Sequence, residues 1–485
     1  MPTLIDQDYI INAGPGGTFR KSGDYQSVPA DIDRIFDRFR QDNVRKIAVY
    51  FHGGLVSEAG GLTDARKMAP VLAGAGATPV CFVWETGLME TIGNNLSKIS
   101  ETTLFNKLLK VILKRVTDRL GFDTLAGRGV ASPGLSDAEI EFELRRQDPF
   151  SQYNRSRGNS GRSATQLTVL SPNSPFLEAE LTVQIGADIN ADKQFQQAIQ
   201  TTKVTVDATG QQTGARGLLD FAGFIAHAVK IAIRIIKRFI EHRDHDLYPT
   251  VVEEILRELY IAELGAWVWG GMKDKSIDMW KDNTGRTDLD QYAGRYFLDK
   301  LAQYKADNPA TEINLVGHSA GSIAICNLLK ATDTLALKFK YNHIIFMAPA
   351  CRVDLFKSEM VDHQERYADL RIFTMNDDKE CDDKLVPYFY THSLLYLISG
   401  VLEDEGASYD AYILGLQRDI AYLSPYAIAE LQPVHDYLYE DAKFRTAFSL
   451  SPDGASDGMT TGSLSHGGFD DDPKTLLSIQ YILQQ

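Results

Sequence analysis

The sequence contains little cysteine and no excess of basic residues. Four cysteines in 485 residues are too few for a scaffold held by disulfides. All four lie in or beside apolar runs, which is typical of buried reduced thiols. The 50 basic and 65 acidic side chains give a net charge of −15. Because such a chain repels phosphate, a nucleic-acid partner is excluded.

Long apolar runs are also missing. The best candidate, residues 218–240, is interrupted by charged and polar side chains, namely Asp220, His227, Lys230, Arg234, Lys237 and Arg238. A membrane-spanning helix needs about 20 predominantly apolar residues, so this segment does not qualify. Residues 1–8 show neither the basic start nor the apolar run of a secretory signal. We therefore expect a cytoplasmic protein.

Short, continuously apolar runs are present at wide intervals, and they predict strands. They cover residues 46–51, 79–84, 313–316, 343–348 and 370–375. Continuous apolar strands indicate a sheet that is covered on both faces and is therefore parallel. Helical patterns at residues 62–72 and 322–332 follow two of these strands. The alternation predicts an α/β fold with a mostly parallel sheet flanked by helices.

The spacing of the predicted strands divides the chain into three parts. Residues 1–86 and 313–485 would form the core, interrupted by a cap or lid insertion at residues 87–312, since ordinary crossovers are far shorter. Within the insertion and the C-terminal part we predict helices at 104–120, 218–240, 250–269, 393–402 and 409–423, of which the first two are amphipathic, and strands at 177–185 and 203–206.

The segment Gly317-His318-Ser319-Ala320-Gly321 has the pattern G-x-S-x-G directly after a predicted strand and before a predicted helix. A strand, a tight turn and a helix are what a nucleophile elbow requires. The same pattern occurs at residues 454–458, around Ser456, but there it lies in a polar loop. Context therefore favours Ser319 as a nucleophile and excludes Ser456.

On these residues the sequence resembles the α/β-hydrolase superfamily, serine esterases and lipases in particular. The predicted strand at 46–51 ends in His52-Gly53-Gly54, which matches the H-G-G segment of that superfamily. The resemblance implies an oxyanion hole built from the amides of Gly53 or Gly54 and of Ala320. It also implies that an acid and then a histidine follow the serine along the chain.

The resemblance assigns the remaining members of a catalytic triad. His466 lies in a late loop before a terminal helix, which is the usual place of the histidine, whereas His392 and His435 lie in helix-like segments. The acid should follow the strand at 370–375. Asp383 lies in a D-x-L-V-P turn and is the first candidate, while Asp377, Asp378 and Asp354 remain open as alternatives.

These residues predict a serine hydrolase that cleaves a carboxylic ester through an acyl-enzyme. An amidase, thioesterase or peptidase with the same triad, and a non-catalytic binding protein on this scaffold, are the alternatives. No metal or other cofactor is expected. Because the predicted cap helices are basic, an acyl-lipid substrate and peripheral contact with an anionic membrane are further expectations. The oligomeric state stays open.

Overall fold

The computed structural model describes residues 5–84, 89–120, 135–154, 174–202, 204–206, 212–217, 220–264, 266–403, 410–439 and 444–485. Within these ranges the chain divides into two compact units. The sheet unit comprises Met1–Met89, Trp267–Asp383 and Tyr412–Gln485, and the helical unit comprises Glu90–Ala266 and Lys384–Ala411. Among the described residues, no helix is long and apolar enough to cross a membrane.

Within the described residues, nine strands form one large sheet and one hairpin. They are β1 (Ile10–Asn12), β2 (Lys46–Phe51), β3 (Thr78–Val83), β4 (Val204–Val206), β5 (Gln212–Gly217), β6 (Glu312–His318), β7 (Tyr341–Met347), β8 (Tyr367–Met375) and β9 (Thr446–Ser449). The seven-stranded sheet has the order β1-β3-β2-β6-β7-β8-β9. All of its neighbours pair in parallel, whereas β4 and β5 form an antiparallel hairpin in the helical unit.

Helices flank the sheet and build the helical unit. They are α1 (Pro29–Gln41), α2 (Glu58–Gly74), α3 (Met89–Ser100), α4 (Thr103–Leu120), α5 (Asp137–Leu144), α6 (Pro175–Ala191), α7 (Lys193–Thr201), α8 (Phe221–Ile240), α9 (Leu247–Ile255), α10 (Ile261–Leu264), α11 (Ala266–Asp278), α12 (Ala293–Asp307), α13 (Gly321–Thr334), α14 (Val353–Phe356), α15 (Asp377–Asp382), α16 (Leu394–Leu397), α17 (Gln417–Ile420), α18 (Gln432–Tyr439) and α19 (Pro473–Gln484). Single π-helical turns at Leu256–Tyr260, Lys357–Val361 and Ile398–Leu402 follow α9, α14 and α16.

The predicted α/β class and the parallel sheet are confirmed. All five predicted strands exist, and their side chains are buried almost throughout, as sheet strands covered on both faces require. The prediction missed the edge strands β1 and β9, which are three and four residues long. Runs this short carry too few residues for a periodicity to be recognised.

Two predicted elements are wrong. Residues 177–185, predicted as a strand, lie inside helix α6, which begins with Pro175 at its first position. Leu177, Leu181, Ile185 and Ile189 are its buried residues at helical spacing. The predicted helix at 409–423 is reduced to α17, and residue 409 lies outside the described residues. Of the strand predicted at 203–206, β4 is described and residue 203 is not.

The basic side chains of α4 are paired with carboxylates of neighbouring helices in the helical unit. Lys107 lies 2.6 Å from Asp192, Lys110 lies 2.7 Å from Glu141, and Arg115 lies 2.5 Å from Asp188. On α8, Arg234 and Lys230 lie 2.6 Å and 3.0 Å from Glu258. The cations that make both helices basic in sequence therefore link helices to one another.

Candidate active site

The candidate site lies where the strand order of the large sheet reverses. After β2 the chain adds β3 and returns to place β6 on the other side of β2. Ligand sites of open α/β sheets form at such a switch point, outside the carboxyl ends of the strands. Phe51 at the end of β2 is in register with Gly317 in β6. The segments 52–54 and 318–320 therefore leave the sheet side by side.

Ser319 occupies a tight turn between β6 and α13. Its φ of 49° lies in the left-handed region, which is unfavourable for a residue with a side chain. Four hydrogen bonds hold this conformation, one of them from the Ser322 N–H to the Ser319 carbonyl oxygen at 3.1 Å. The Ser319 N–H donates to the Met347 carbonyl at 2.8 Å, and the Ser319 carbonyl accepts from the Ala350 N–H at 3.1 Å and from the Ser322 hydroxyl at 2.6 Å.

The two glycines of the motif are required by close backbone contacts. A Cβ at Gly317 would lie 2.9 Å from the main chain of Gly321, and a Cβ at Gly321 would lie 2.3 Å from the carbonyl oxygen of Phe51. Neither distance is compatible with a side chain. The elbow can therefore pack against the end of β2 only because both positions are glycine.

His466 reaches Ser319 from a loop 147 residues later in the chain. Its Nε2 atom lies 2.8 Å from the Ser319 hydroxyl oxygen, which is a hydrogen bond. His466 begins a single 3₁₀ turn (His466–Gly468) before α19. The side chains of His466 and Ser319 are both buried. Burial, with a smaller contribution from His318, lowers the pKa of His466 to about 3, so its ring is neutral at pH 7. A neutral imidazole beside a hydroxyl can accept its proton.

Asp383 is the carboxylate that the structure brings to His466. Its Oδ2 atom accepts the main-chain N–H of His466 at 2.8 Å. Burial raises the pKa of Asp383, and this hydrogen bond opposes the increase. Among the described residues, the buried Nδ1 atom of His466 has no hydrogen-bond partner. Asp383 is thus hydrogen-bonded to the main chain of His466, whereas the contact needed to orient the ring would be made at Nδ1, the nitrogen away from Ser319.

The alternative acids are Asp354, Asp377 and Asp378, and all three belong to the sheet unit. Asp354 is exposed and forms an ion pair with Arg352 at 2.6 Å. Asp377 and Asp378 are in the first turn of α15, where negative side chains stabilise a helix N-terminus. The two histidines weighed against His466 lie near main-chain carbonyls, His392 beside that of Thr391 and His435 beside that of Ile420, both at 2.9 Å.

The segment after β2 lies against the elbow. A Cβ at Gly53 would be 3.4 Å from the Ser319 Cβ, and one at Gly54 would be 2.7 Å from the Ala320 Cβ. His52 orients this segment, because its Nδ1 lies 2.7 Å from the Gly53 carbonyl oxygen and its Nε2 accepts the Trp84 N–H at 3.2 Å. Gly53, Gly54 and Ala320 are thus adjacent, as the predicted oxyanion hole requires.

Some residues at the site had no role assigned from the sequence. His318 bonds through Nε2 to the carbonyl oxygen of His466 at 2.9 Å, although the second position of G-x-S-x-G accepts any residue and gives no signal. Trp269 and Met272 of α11 lie close to Gly54, where an added Cβ would be 3.6 Å and 2.7 Å from their side chains. α11 belongs to a segment predicted as cap, and no local pattern links it to the elbow.

Ser456, the serine of the second G-x-S-x-G segment, is exposed between two turns at Gly454 and Gly458, both with positive φ. Neither a strand nor a helix flanks it in the structure.

Comparisons of the chain with models of known protein families, with curated proteins and with solved structures found no match. The geometry of the site is therefore the basis for any assignment of function.

Proposed function

We propose that the protein is a serine hydrolase of the α/β-hydrolase type that cleaves a carboxylic ester through an acyl-enzyme on Ser319. The observation that carries the proposal is the 2.8 Å hydrogen bond between the Ser319 hydroxyl and the His466 Nε2 atom. A buried serine in a strained turn, at the start of a helix and bonded to a neutral histidine, is the arrangement of an activated nucleophile.

In this reaction the Ser319 oxygen attacks the carbonyl carbon of the ester, and its proton moves to the His466 Nε2 atom. The resulting tetrahedral intermediate carries a negative oxygen. When it collapses, the bond to the alcohol oxygen breaks and His466 protonates that oxygen. Water then attacks the acyl-serine, giving its proton to His466, which returns it to Ser319 as the acid is released.

Two further groups support the charges that develop. Amides of the Gly53-Gly54 segment and of Ala320 would donate hydrogen bonds to the negative oxygen, and each such donor is worth about 3–4 kcal/mol. Asp383 would stabilise the imidazolium of His466. Its Oδ2 already accepts the main-chain N–H of that residue, and the buried Nδ1 atom has no hydrogen-bond partner among the described residues. A contact between this carboxylate and Nδ1 would supply the stabilisation. That contact would also fix the tautomer that can receive the serine proton.

Covalent labelling tests the proposal. A fluorophosphonate probe should modify the wild-type protein and Ser456→Ala, but not Ser319→Ala. Ser456 is the matched control because it occupies the same sequence pattern, and within the described part of the chain no histidine is hydrogen-bonded to it. A wild-type protein that stays unlabelled would contradict the proposal and favour a binding protein on this scaffold. A panel of p-nitrophenyl esters, thioesters and anilides of graded acyl length would then separate esterase from thioesterase and amidase activity.

Contact with an anionic membrane through α4 and α8 is a separate proposal. The Lys110 and Lys230 side chains are 42% and 44% exposed, and both already lie beside a carboxylate. Lipid phosphates would have to replace these pairs, so any binding should weaken with salt. Flotation with vesicles rich in phosphatidylserine at low and high salt tests it, and no association at low salt would exclude it.

A further inference from the structure

We propose that His318 is a positioning residue that holds the catalytic histidine segment and the oxyanion segment in register with Ser319. This inference rests on the proposed function. His318 precedes the nucleophile directly and is buried at the end of β6. Its ring is hydrogen-bonded to the loop that carries His466 and lies beside Gly53, and these two segments come from opposite ends of the chain.

The first contact fixes the main chain of His466. The His318 Nε2 atom lies 2.9 Å from the His466 carbonyl oxygen. A carbonyl oxygen only accepts, so His318 must carry its proton on Nε2. Because Asp383 binds the N–H of His466 and His318 binds its carbonyl, both sides of this one residue are held. The direction of its Cα–Cβ bond, and with it the approach of the ring to Ser319, is thereby determined.

The other side of the His318 ring faces Asp470 and Gly53. The His318 Nδ1 atom lies 4.0 Å from the Asp470 Oδ2 atom, and Asp470 is in the same loop as His466 and is buried. A Cβ at Gly53 would lie 3.6 Å from the same Nδ1 atom. The His318 ring thus lies between the loop that carries His466 and the segment at Gly53, directly beside Ser319.

This arrangement matters for the reaction because the serine–histidine distance must be kept while His466 gains and loses a proton. A displacement of about 1 Å at a reacting group can lower a rate by about 100-fold. The side chain of His466 is held to Ser319 by a single hydrogen bond, so the position of its main chain decides how often that bond is formed.

Two amide substitutions in the full-length protein test the role of the Nε2 donor. His318→Gln places an N–H group near the position of Nε2, whereas the shorter side chain of His318→Asn does not reach the His466 carbonyl. We expect His318→Asn to lower the fluorophosphonate labelling rate and the kcat for p-nitrophenyl acetate by about 100-fold with little change in KM. His318→Gln should recover most of this loss.

His435→Asn is the control, since His435 also bonds a main-chain carbonyl at 2.9 Å, but elsewhere in the sheet unit. It should keep the wild-type rate. Thermal unfolding of each variant separates loss of positioning from loss of the fold. If wild-type protein is labelled and His318→Asn reacts equally fast, or if Gln and Asn lose activity equally, the positioning role is wrong. If wild-type protein is not labelled, the proposed function itself is overturned, and this role with it.

Discussion

Asp383 binds His466 through the main-chain N–H of the histidine, at 2.8 Å, and leaves the buried Nδ1 atom of its ring without a partner among the described residues. A buried donor or acceptor without a partner costs about 1–3 kcal/mol. The same carboxylate is already anchored on this residue and has a second oxygen. The cost therefore favours a contact between Asp383 and Nδ1 whenever the ring carries a proton there.

Asp383→Asn should consequently lower kcat for ester hydrolysis by about 100-fold or more while the protein stays folded, because Asn can still accept the His466 N–H but cannot stabilise an imidazolium. Asp354→Asn, Asp377→Asn and Asp378→Asn are the matched variants and should retain activity. Steady-state kinetics with one p-nitrophenyl ester decides the matter. Loss of activity in Asp377→Asn, with Asp383→Asn active, would make Asp377 the acid.

The buried histidines should make the fold less stable in acid. Burial lowers the pKa of His466 to about 3 and that of His52 to about 4, against about 6.5 in an unfolded chain. Below pH 6.5 the unfolded chain therefore binds protons that the folded chain does not, and the free energy of unfolding decreases as the pH falls toward 4. Above pH 7 these groups are neutral in both states and contribute no pH dependence.

For His466 alone this loss amounts to about 2 kcal/mol between pH 7 and pH 5. His466→Gln should remove that part, so its free energy of unfolding should change less over the same interval. Urea unfolding at pH 8, 7, 6 and 5 measures both proteins, and the interval from pH 8 to 7 serves as the internal control. Equal decreases below pH 6.5 in the two proteins would contradict the prediction.

A fully buried ion-pair cluster links α8 to α9 in the helical unit. The Arg238 side chain on α8 is 0% exposed and lies 2.8 Å from Glu253 and 3.0 Å from Glu254. Burial alone would raise the pKa of Glu253, but His245 and Arg238 outweigh it and hold the value at about 2. Glu253 is therefore charged, and its charge depends on the cations beside it.

Arg238→Met should lower the free energy of unfolding by about 3–5 kcal/mol, because it leaves buried carboxylates uncompensated. Lys110→Met is the control in the same unit. It breaks a pair with Glu141 that is 42% and 49% exposed, and such surface pairs contribute about 0–1 kcal/mol. Urea unfolding monitored by circular dichroism compares the two. Similar losses in both variants would show that burial of Arg238 has no special importance.

The glycines of the elbow should not tolerate even a methyl group. Gly321→Ala would place its Cβ 2.3 Å from the Phe51 carbonyl oxygen and should destabilise the protein by about 1–3 kcal/mol and abolish labelling of Ser319. Gly271→Ala on α11 is the control, since a Cβ there meets nothing within 4 Å. It should be neutral or stabilise by up to about 1 kcal/mol. Thermal unfolding together with fluorophosphonate labelling gives both readouts, and a fully labelled Gly321→Ala protein would exclude the steric argument.

Features that depend on neighbouring residues in the chain could be predicted from the sequence. The apolar runs of β2, β3, β6, β7 and β8 predict strands because side chains alternate faces and almost all of them are buried. The G-x-S-x-G segment predicts the elbow, since its glycines are dictated by contacts within a few residues of the turn and with the adjacent strand. The order of the triad residues along the chain (serine, acid, histidine) and the loop position of His466 followed from the resemblance.

Only the tertiary structure decided which distant groups meet. Several carboxylates follow β8 within a few residues, and the D-x-L-V-P pattern made Asp383 the first candidate without excluding Asp377 or Asp378. What distinguishes it is that the loop bearing His466 presents its N–H to Asp383. From the sequence, the cations of α8 predict a basic surface, yet Arg238 is buried. The acids that neutralise it lie on the following helix, at positions that the sequence periodicity does not indicate. Strands and turns arise from local sterics and burial, whereas ion pairs and hydrogen bonds between loops depend on how the sheet order folds the chain back on itself.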